Sequence, residues 1–433
     1  MNRRNIICFF LSLSIVFFSF GMAGTAGSLS PQPKNVILIV PDGCSSAVWG
    51  MIRAITVGAE GQLNIDKLPI QSICRTYSAN SIITDSAAAG TAFASGVKTN
   101  NGVLGMDAAT TRGDSLTGNP VETILEAAEK AGYSTGLVTT TMIQHATPAA
   151  FYAHRAERDW YPLISSDLLD SGIEVLFGGG REYMIPRGTT EESGSRSQRR
   201  DSRNIIEEMK AEGYTYVSDS AGFSAINPET TDRVLGLFTP HYLHYELVRQ
   251  KEANPEPPLW DLAEKALEIL SKNPMGFFLM IEAGQIDGAG HDNDTLNLIG
   301  DAIACDKTVG VASEFAEKHP NTLLIVVPDH GTGGPNLIGF YRTNDPESRT
   351  RSNEGVGLKP YELDANGFPV NFDEIPPAIG WASSQYYLHT RSVDGQHTGE
   401  DVSIHAMGPG SEKLIGLKNN TEINTIMRAH LGL

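Results

Sequence analysis

Three unbroken apolar runs constrain the fold of this chain more than any other feature. Asn35–Val40 (NVILIV), Gly276–Glu282 (GFFLMIE) and Thr322–Pro328 (TLLIVVP) are too short for core helices and too uniformly apolar for strands with one wet face. Strands of this kind are buried on both sides, as in a parallel or mixed sheet covered by helices. The segments between them can supply the cover. PVETILEAAEKAG, PLWDLAEKALEILSKN and TLNLIGDAIACDKTVGVASEFAEKH repeat apolar residues at helical spacing, and NNTEINTIMRAHLG closes the chain in the same way. STGLVTT, IEVLFGGG and SIHAMG read as further strands. TPAAFYAHRAERDW reads as a helix with Thr147 as N-cap and Pro148 at its first position. The expected class is α/β, with a central, mostly parallel sheet, helices on both faces and surface insertions.

The N-terminus has a different character. Arg3 and Arg4 precede an apolar run from Ile6 to Phe18, and small residues follow, with cleavage after Ala23 or Ala26. This pattern predicts a signal peptide over residues 1–26, a secreted or periplasmic product, and one domain over 27–433. The run is too short to span a bilayer comfortably, and no comparable run follows, so no stable membrane insertion is expected. Loss of the two arginines takes the formal charge from −18 to about −20. Such acidity excludes nucleic acid as a specific partner, and it would repel an anionic substrate unless bound divalent cations reversed the local sign. Cys44, Cys74 and Cys305 allow one disulfide at most. Two stretches break the α/β rhythm. Arg187–Arg203 is polar and reads as a mobile surface excursion, and Thr332–Gln396 reads as an insertion over the active-site face.

In open α/β sheets, ligands sit beyond the carboxyl ends of the strands. Here those ends deliver Asp42, then Glu282, Asp287 and His291, then Asp329 and His330, with His397 just ahead of the last strand. Singly, each has an ordinary structural reading, since Asp-Gly is commonly a turn and a lone histidine commonly a hydrogen-bonding residue. Together, four carboxylates and three histidines at the ends of apolar strands would be costly without cations to neutralise them. Mixed histidine and carboxylate ligation suits zinc, and carboxylate with hydroxyl suits magnesium. A further segment, TDSAAAGTAFASGVKTNNG, places Asp85 and Ser86 ahead of a helix of small residues. Either residue serves as an N-cap, and Ser86 equally suits a nucleophile at a helix N-terminus, where amides favour an anion such as phosphate.

With these motifs in view, the chain resembles the alkaline phosphatase family. The resemblance is carried by TDSAAAGTAFASGVKTNNGVLGMD, QHATPAAFYAHRAERDW, IEAGQIDGAGH, PDHGTGG and QHTGED, in the family's order along almost the whole mature chain. It implies the family's fold and hydrolysis of phosphate monoesters at alkaline pH through a phosphoserine on Ser86. It also implies a homodimer with two zinc ions and one magnesium ion per chain. One zinc would be held by Asp287, His291 and His397, and the other by Asp42, Asp329 and His330. The magnesium would be held by Asp42, Thr147 and Glu282, and Arg158 would grip the phosphate oxygens. Arg155 is a competitor three residues away, but the following Asp-Trp and the distance from His154 favour Arg158. His389 competes with His397, which alone leads into a strand in the family's manner, and His405 reads as structural. His145 and Gly288 stand where some bacterial members have Asp and Lys, which alters the surroundings of the third ion. The Cys-x-Pro-x-Arg signature of sulfatases is absent. A diesterase on the same fold, or a protein that binds phosphate without turning it over, are the remaining readings.

Overall fold

The computed structural model describes residues 34–191, 193–251, 256–341, 351–352, 361–370, 377–382 and 394–433. The expected signal peptide, His389 and much of the 332–396 segment lie outside them.

Eight strands come first in the chain: β1 (Lys34–Val40), β2 (Ile70–Arg75), β3 (Ser134–Met142), β4 (Val175–Gly179), β5 (Thr215–Val217), β6 (Val234–Leu237), β7 (Gly276–Glu282) and β8 (Thr322–Val326). Then follow β9 (Gly331–Thr332), β10 (Asn336–Tyr341), β11 (Arg351–Ser352), β12 (Pro377–Gly380), β13 (His397–Thr398), β14 (Val402–Met407) and β15 (Leu417–Asn419). Ten of them form one sheet in the order β15-β2-β14-β8-β1-β7-β3-β4-β6-β5. All neighbours in it are parallel except β14, which runs antiparallel to β2 and β8.

The apolar runs occupy the middle of this sheet, where both faces are covered. Val36, Leu38 and Val40 of β1 point to one side, with Leu137, Phe278 and Ile325, under the helices Ser86–Ser95, Ile124–Ala131 and Asn420–Leu431. Ile37 and Ile39 point to the other, with Leu279, Ile281 and Val326, under Ser46–Thr56, Leu259–Leu270 and Thr295–Lys318. The alternation of strand side chains therefore feeds two cores from one continuous apolar run. Thr123 opens its helix with the reciprocal bonds of a capping box to Glu126, and Gly132 ends it in the left-handed region.

Two expectations need correction, and one strand of the sheet went unread. TPAAFYAHRAERDW is not one helix: only Ala146–Ala149 is helical, and its N-cap is His145, not Thr147. Beyond it the backbone bonds across to a neighbouring loop, with Leu104 and Arg155 exchanging amide–carbonyl bonds of 2.8 and 2.9 Å. Arg155 and Arg158 consequently part company, and Arg155 forms a two-pronged ion pair with Asp167. The polar 187–203 excursion is tied down: Arg199 is buried, reaches the carbonyls of Pro162 and Tyr183, and pairs with Asp201. Finally, β2 was invisible as a core strand because its residues alternate in exposure, leaving Ile73 51% exposed near the sheet edge. Cys44, Cys74 and Cys305 are buried and unpaired.

Candidate active site

The sheet order brings β8, β1, β7 and β3 side by side, and their carboxyl ends converge. Asp42 leaves β1, Glu282 is the last residue of β7, and Asp329 and His330 follow β8. Asp287 and His291 lie on the short helix Gln285–His291 just after β7, and His397 belongs to β13, paired with Thr332 of β9. The turn after β1 needs Gly43, whose φ is +68° and whose missing side chain would stand 2.7 Å from Asp287 Oδ1.

Three clusters of ligand atoms result, each within 4.8 Å: Asp287–His291–His397, Asp42–Asp329–His330, and Asp42–His145–Glu282. Asp42, Glu282, Asp329 and His330 have no exposed surface. The histidine hydrogen bonds say what such clusters require. His291 Nδ1 donates to the Gly395 carbonyl at 2.7 Å, and His397 Nδ1 to the Thr84 carbonyl at 2.9 Å. A carbonyl can only accept, so each neutral ring turns a bare Nε2 inward, and these two nitrogens face each other at 3.2 Å. Thr332 donates to Asp287 at 2.5 Å and accepts from His330 Nδ1 at 3.3 Å. His330 Nε2 is therefore also bare, 3.2 Å from Asp329 Oδ2 and 3.5 Å from Asp42 Oδ1. Lone pairs and carboxylates aimed at one another repel unless a cation lies among them.

The carboxylates tell the same story. Asp42 Oδ1, Glu282 Oε1 and Asp329 Oδ2 are buried without a hydrogen-bond partner. Burial, then the charges of Asp329, Asp287 and Glu282, pushes the Asp42 carboxyl far above its usual range. Burial and Asp287 push Asp329 up to about 7. Burial drives His330 well below the ordinary histidine value, with neighbouring His397 adding to the shift. For His291 burial acts downward, but Asp287 overrides it and lifts the ring to about 9. Divalent cations would remove the need for these protons, and the mixed nitrogen and oxygen donors of the first two clusters suit zinc.

Ser86 is the first residue of the helix Ser86–Ser95, almost fully buried, with Oγ 3.2 Å from His330 Nε2. The cap is Asp85, which accepts from Ala88 N at 3.0 Å. The small residues of this helix let it lie against the Thr147 turn: a side chain on Gly90 would meet the Ala150 Cβ at 3.1 Å. Thr147 donates to Asp42 Oδ2 at 3.4 Å. Arg158 is bonded to Asp85 Oδ2 at 2.9 Å and to His145 Nε2 at 3.2 Å. His145 thus spends its Nε2 lone pair on Arg158 and presents a proton on Nδ1, 3.7 Å from Glu282 Oε1. It is a member of the third cluster that also supports the arginine. All the residues expected from the sequence are brought together.

Others were missed. Asp85 does more than cap, since it also holds Arg158 and the Gly102 amide. Thr139 and Thr141 orient Glu282, the latter at 2.8 Å, and Thr332 links two clusters. No spacing rule marks a threonine as a carboxylate's partner, so only Asp85, next to Ser86, had a local signal.

The alkaline phosphatase family model matches residues 33–433. The chain belongs to the alkaline phosphatase family. An alkaline phosphatase of Gadus morhua is 33% identical over 439 residues, covering 90% of each chain. The alkaline phosphatase of Thermus thermophilus superposes with a TM-score of 0.73 at 29% identity, covering 96% of both chains. A histidine-to-aspartate variant of the TAB5 alkaline phosphatase, with magnesium bound in its M3 site, gives a TM-score of 0.71 at 26% identity, covering 93% of this chain and 98% of that one. As an alkaline phosphatase the chain is a phosphate monoester hydrolase, and its residue clusters are metal-binding. No helix among the described residues is long and apolar enough to cross a membrane.

Proposed function

We propose that this alkaline phosphatase works through a phosphoserine on Ser86, with two zinc ions and one magnesium ion. Asp287, His291 and His397 would hold one zinc, and Asp42, Asp329 and His330 the second. Asp42, Thr147 and Glu282 would hold magnesium, with His145 beside it. The single observation that carries this reading is the convergence of three inward-facing histidine Nε2 atoms and three unpartnered carboxylate oxygens near Ser86. Bound there, the metals would acidify the serine hydroxyl and the attacking water and neutralise the leaving alkoxide.

The chain's own residues account for the rest. Ser86 is locked at a helix N-terminus whose amides favour the phosphate charge. Arg158, preset by Asp85 and His145, offers its remaining N–H groups to two non-bridging oxygens. The Ser86 Oγ forms the P–O bond as the ester P–O bond breaks, and the alcohol leaves with a proton. Water then attacks the same phosphorus, breaks the Ser86–phosphate bond and returns the hydroxyl, releasing inorganic phosphate. The signal peptide over 1–26, secretion to the periplasm or beyond, the single catalytic domain 27–433, the homodimer, and a substrate entrance shaped by 332–396 belong to the same proposal.

The test is phosphate release from an aryl phosphate monoester beside the matching diester, with zinc and magnesium and after chelation. Chelator-sensitive monoesterase activity, abolished in Ser86→Ala, with radiolabel from the substrate trapped on Ser86 at acid pH, is the expected result. Preference for the diester would overturn the substrate class. Turnover retained in Ser86→Ala would overturn the covalent route.

A further inference from the structure

Behind Arg158 lies a histidine that the chemistry above does not use. His154 Nδ1 is 2.6 Å from the Gly105 carbonyl, and its Nε2 is 3.0 Å from Glu126 Oε1. A carbonyl only accepts. Glu126 is equally an acceptor, because its other oxygen already takes the Thr123 amide at 2.8 Å and its carboxyl is held below the usual range: burial acts upward, and His154 and Thr123 outweigh it. Both ring nitrogens must then donate, and only an imidazolium has two N–H groups. The balance of charge around the ring agrees. Glu126 faces it from the helix Ile124–Ala131, Asp167 and Asp170 from the following helical turns, and Arg155, spent on Asp167, from its own segment. Burial works against the charge, but Glu126 and Gly105 together raise the ring above its ordinary value.

The two bonds of this ring tie together three pieces of backbone that set Arg158. Gly105, at φ +58°, follows Leu104, which exchanges backbone bonds with Arg155. Arg158 N donates to Gly102 O at 2.8 Å, and Gly102 N donates to Asp85 Oδ2, which holds the Arg158 guanidinium. The loop 102–105 is thus clamped to the 153–158 segment at one end by the Asp85–Arg158 pair and at the other by His154. Glu126, through its capping box, anchors that end to a core helix. A cavity of about 330 Å³, lined by His154, Glu126, Arg155 and Asp167, gives water and protons access to the ring.

We propose that His154 is a positioning residue for Arg158: held as an imidazolium between Glu126 and Gly105, it fixes the loop that presents the guanidinium, and its loss of a proton in alkaline solution loosens the grip on phosphate. A neutral ring can donate to only one of its two partners, so one clamp opens. Product phosphate is then held less tightly at the pH where the enzyme works. The inference rests on the reading that Arg158 grips phosphate, and the experiment separates the two.

The metal-loaded full chain is compared with His154→Gln, Glu126→Gln and Arg158→Ala, using inorganic phosphate as competitive inhibitor at pH 7 and pH 10. Comparing each variant with the parent at the same pH cancels the titrations of phosphate and the metal site, which they share. His154→Gln, whose donors sit on a single nitrogen and so cannot serve both partners, is expected to weaken phosphate inhibition about fivefold at pH 7 and by less than about twofold at pH 10. Glu126→Gln keeps an acceptor oxygen without the charge, and it should move the transition to lower pH. Nitrogen-15 spectra of the histidine rings, with His154 assigned by its absence in His154→Gln, should show both nitrogens protonated at pH 7. A ratio that is the same at both pH values would overturn the proposal, leaving a merely structural histidine. So would a neutral His154 at pH 7, which is read on the parent protein and does not depend on the activity of any variant. Phosphate inhibition unchanged in Arg158→Ala would overturn the Arg158 reading itself. Loss in Arg158→Ala without any in His154→Gln would overturn only the present inference.

Discussion

Removing the Arg158 guanidinium separates its proposed grip on substrate from its place in the fold. Its side chain is only 16% exposed, and two of its N–H groups are already committed to Asp85 and His145. If the others meet two phosphate oxygens, each charge-assisted bond contributes about 1.5–3 kcal/mol. Arg158→Ala should then lower kcat/KM by about 3–6 kcal/mol, roughly 10²- to 10⁴-fold. Arg158→Lys, a point charge without the fork, should recover part of this and stand about 10- to 10²-fold below the parent. Stability should change far less. Asp85 keeps the Ala88 and Gly102 amides at 3.0 and 2.8 Å, so its charge is not abandoned in the interior. A loss of about 1–2 kcal/mol is the expectation, well short of a buried ion left alone. The assay is kcat/KM for an aryl phosphate monoester beside urea unfolding of the metal-loaded protein. Activity within threefold of the parent would refute the phosphate contact. A large loss of activity matched by a comparable collapse of stability would refute the claim that Asp85 remains satisfied.

Other perturbations test the scaffold. Glu174 lies beside Glu129 at Thr135, and burial first, then that like charge, lifts its carboxyl from 4.5 to about 7. A raised carboxyl costs folded stability only above its unfolded value, so the cost is absent below pH 4.5, grows to about pH 7 and then stays. Glu174→Gln, able to keep the Thr135 amide and donate to Glu129, should stabilise by about 1–2 kcal/mol at pH 8 and by little at pH 4.5, after allowance for water at this half-buried pair. Unfolding midpoints at the two pH values decide it, and equal shifts would sink the argument. Gly90→Val should push Ala150 and the Thr147 turn off the Ser86 helix, costing about 1–3 kcal/mol and weakening magnesium retention; equilibrium dialysis that finds magnesium held as before would remove the packing explanation. His145→Asp should tighten magnesium binding by about tenfold or more, since a carboxylate opposite Glu282 and Asp42 suits a hard cation. A titration unchanged by the substitution would show that His145 does not govern the site.

The parts of this protein that could be read from its sequence are those in which one stretch of chain does the whole task. The central strands were legible because burial on both faces leaves an uninterrupted apolar run, and the acids at their ends because nothing in a packed interior tolerates a carboxylate without a reason. β2, β5 and β6 were not, being short or placed where only some residues are covered. The 147–160 segment failed for a deeper reason. Phe151, Tyr152, Ala153 and Ala156 are buried, as a helix would demand, but after Ala153 the backbone leaves its own turn, and the amides of Arg155 and Arg158 find their partners in Leu104 and Gly102. Periodicity reports which side chains are hidden, and it is silent about where the amides bond. The same limit hid the hold of Asp85 on Arg158 and the roles of Thr139, Thr141 and His154, which depend on atoms far away in the chain. Arg158 could nonetheless be chosen over Arg155, because a motif carries the identity of a residue even where the conformation inferred for it is wrong. The conformation is where the chemistry gains its constraint: on a continuous helix Arg158 would be set by its own turn, whereas in this fold it is set by Asp85 beside Ser86 and by His145 of the third cluster. The proposed phosphate grip, nucleophile and metal site are thereby joined through two hydrogen bonds on one guanidinium, so a change at any one of them should be felt at the other two.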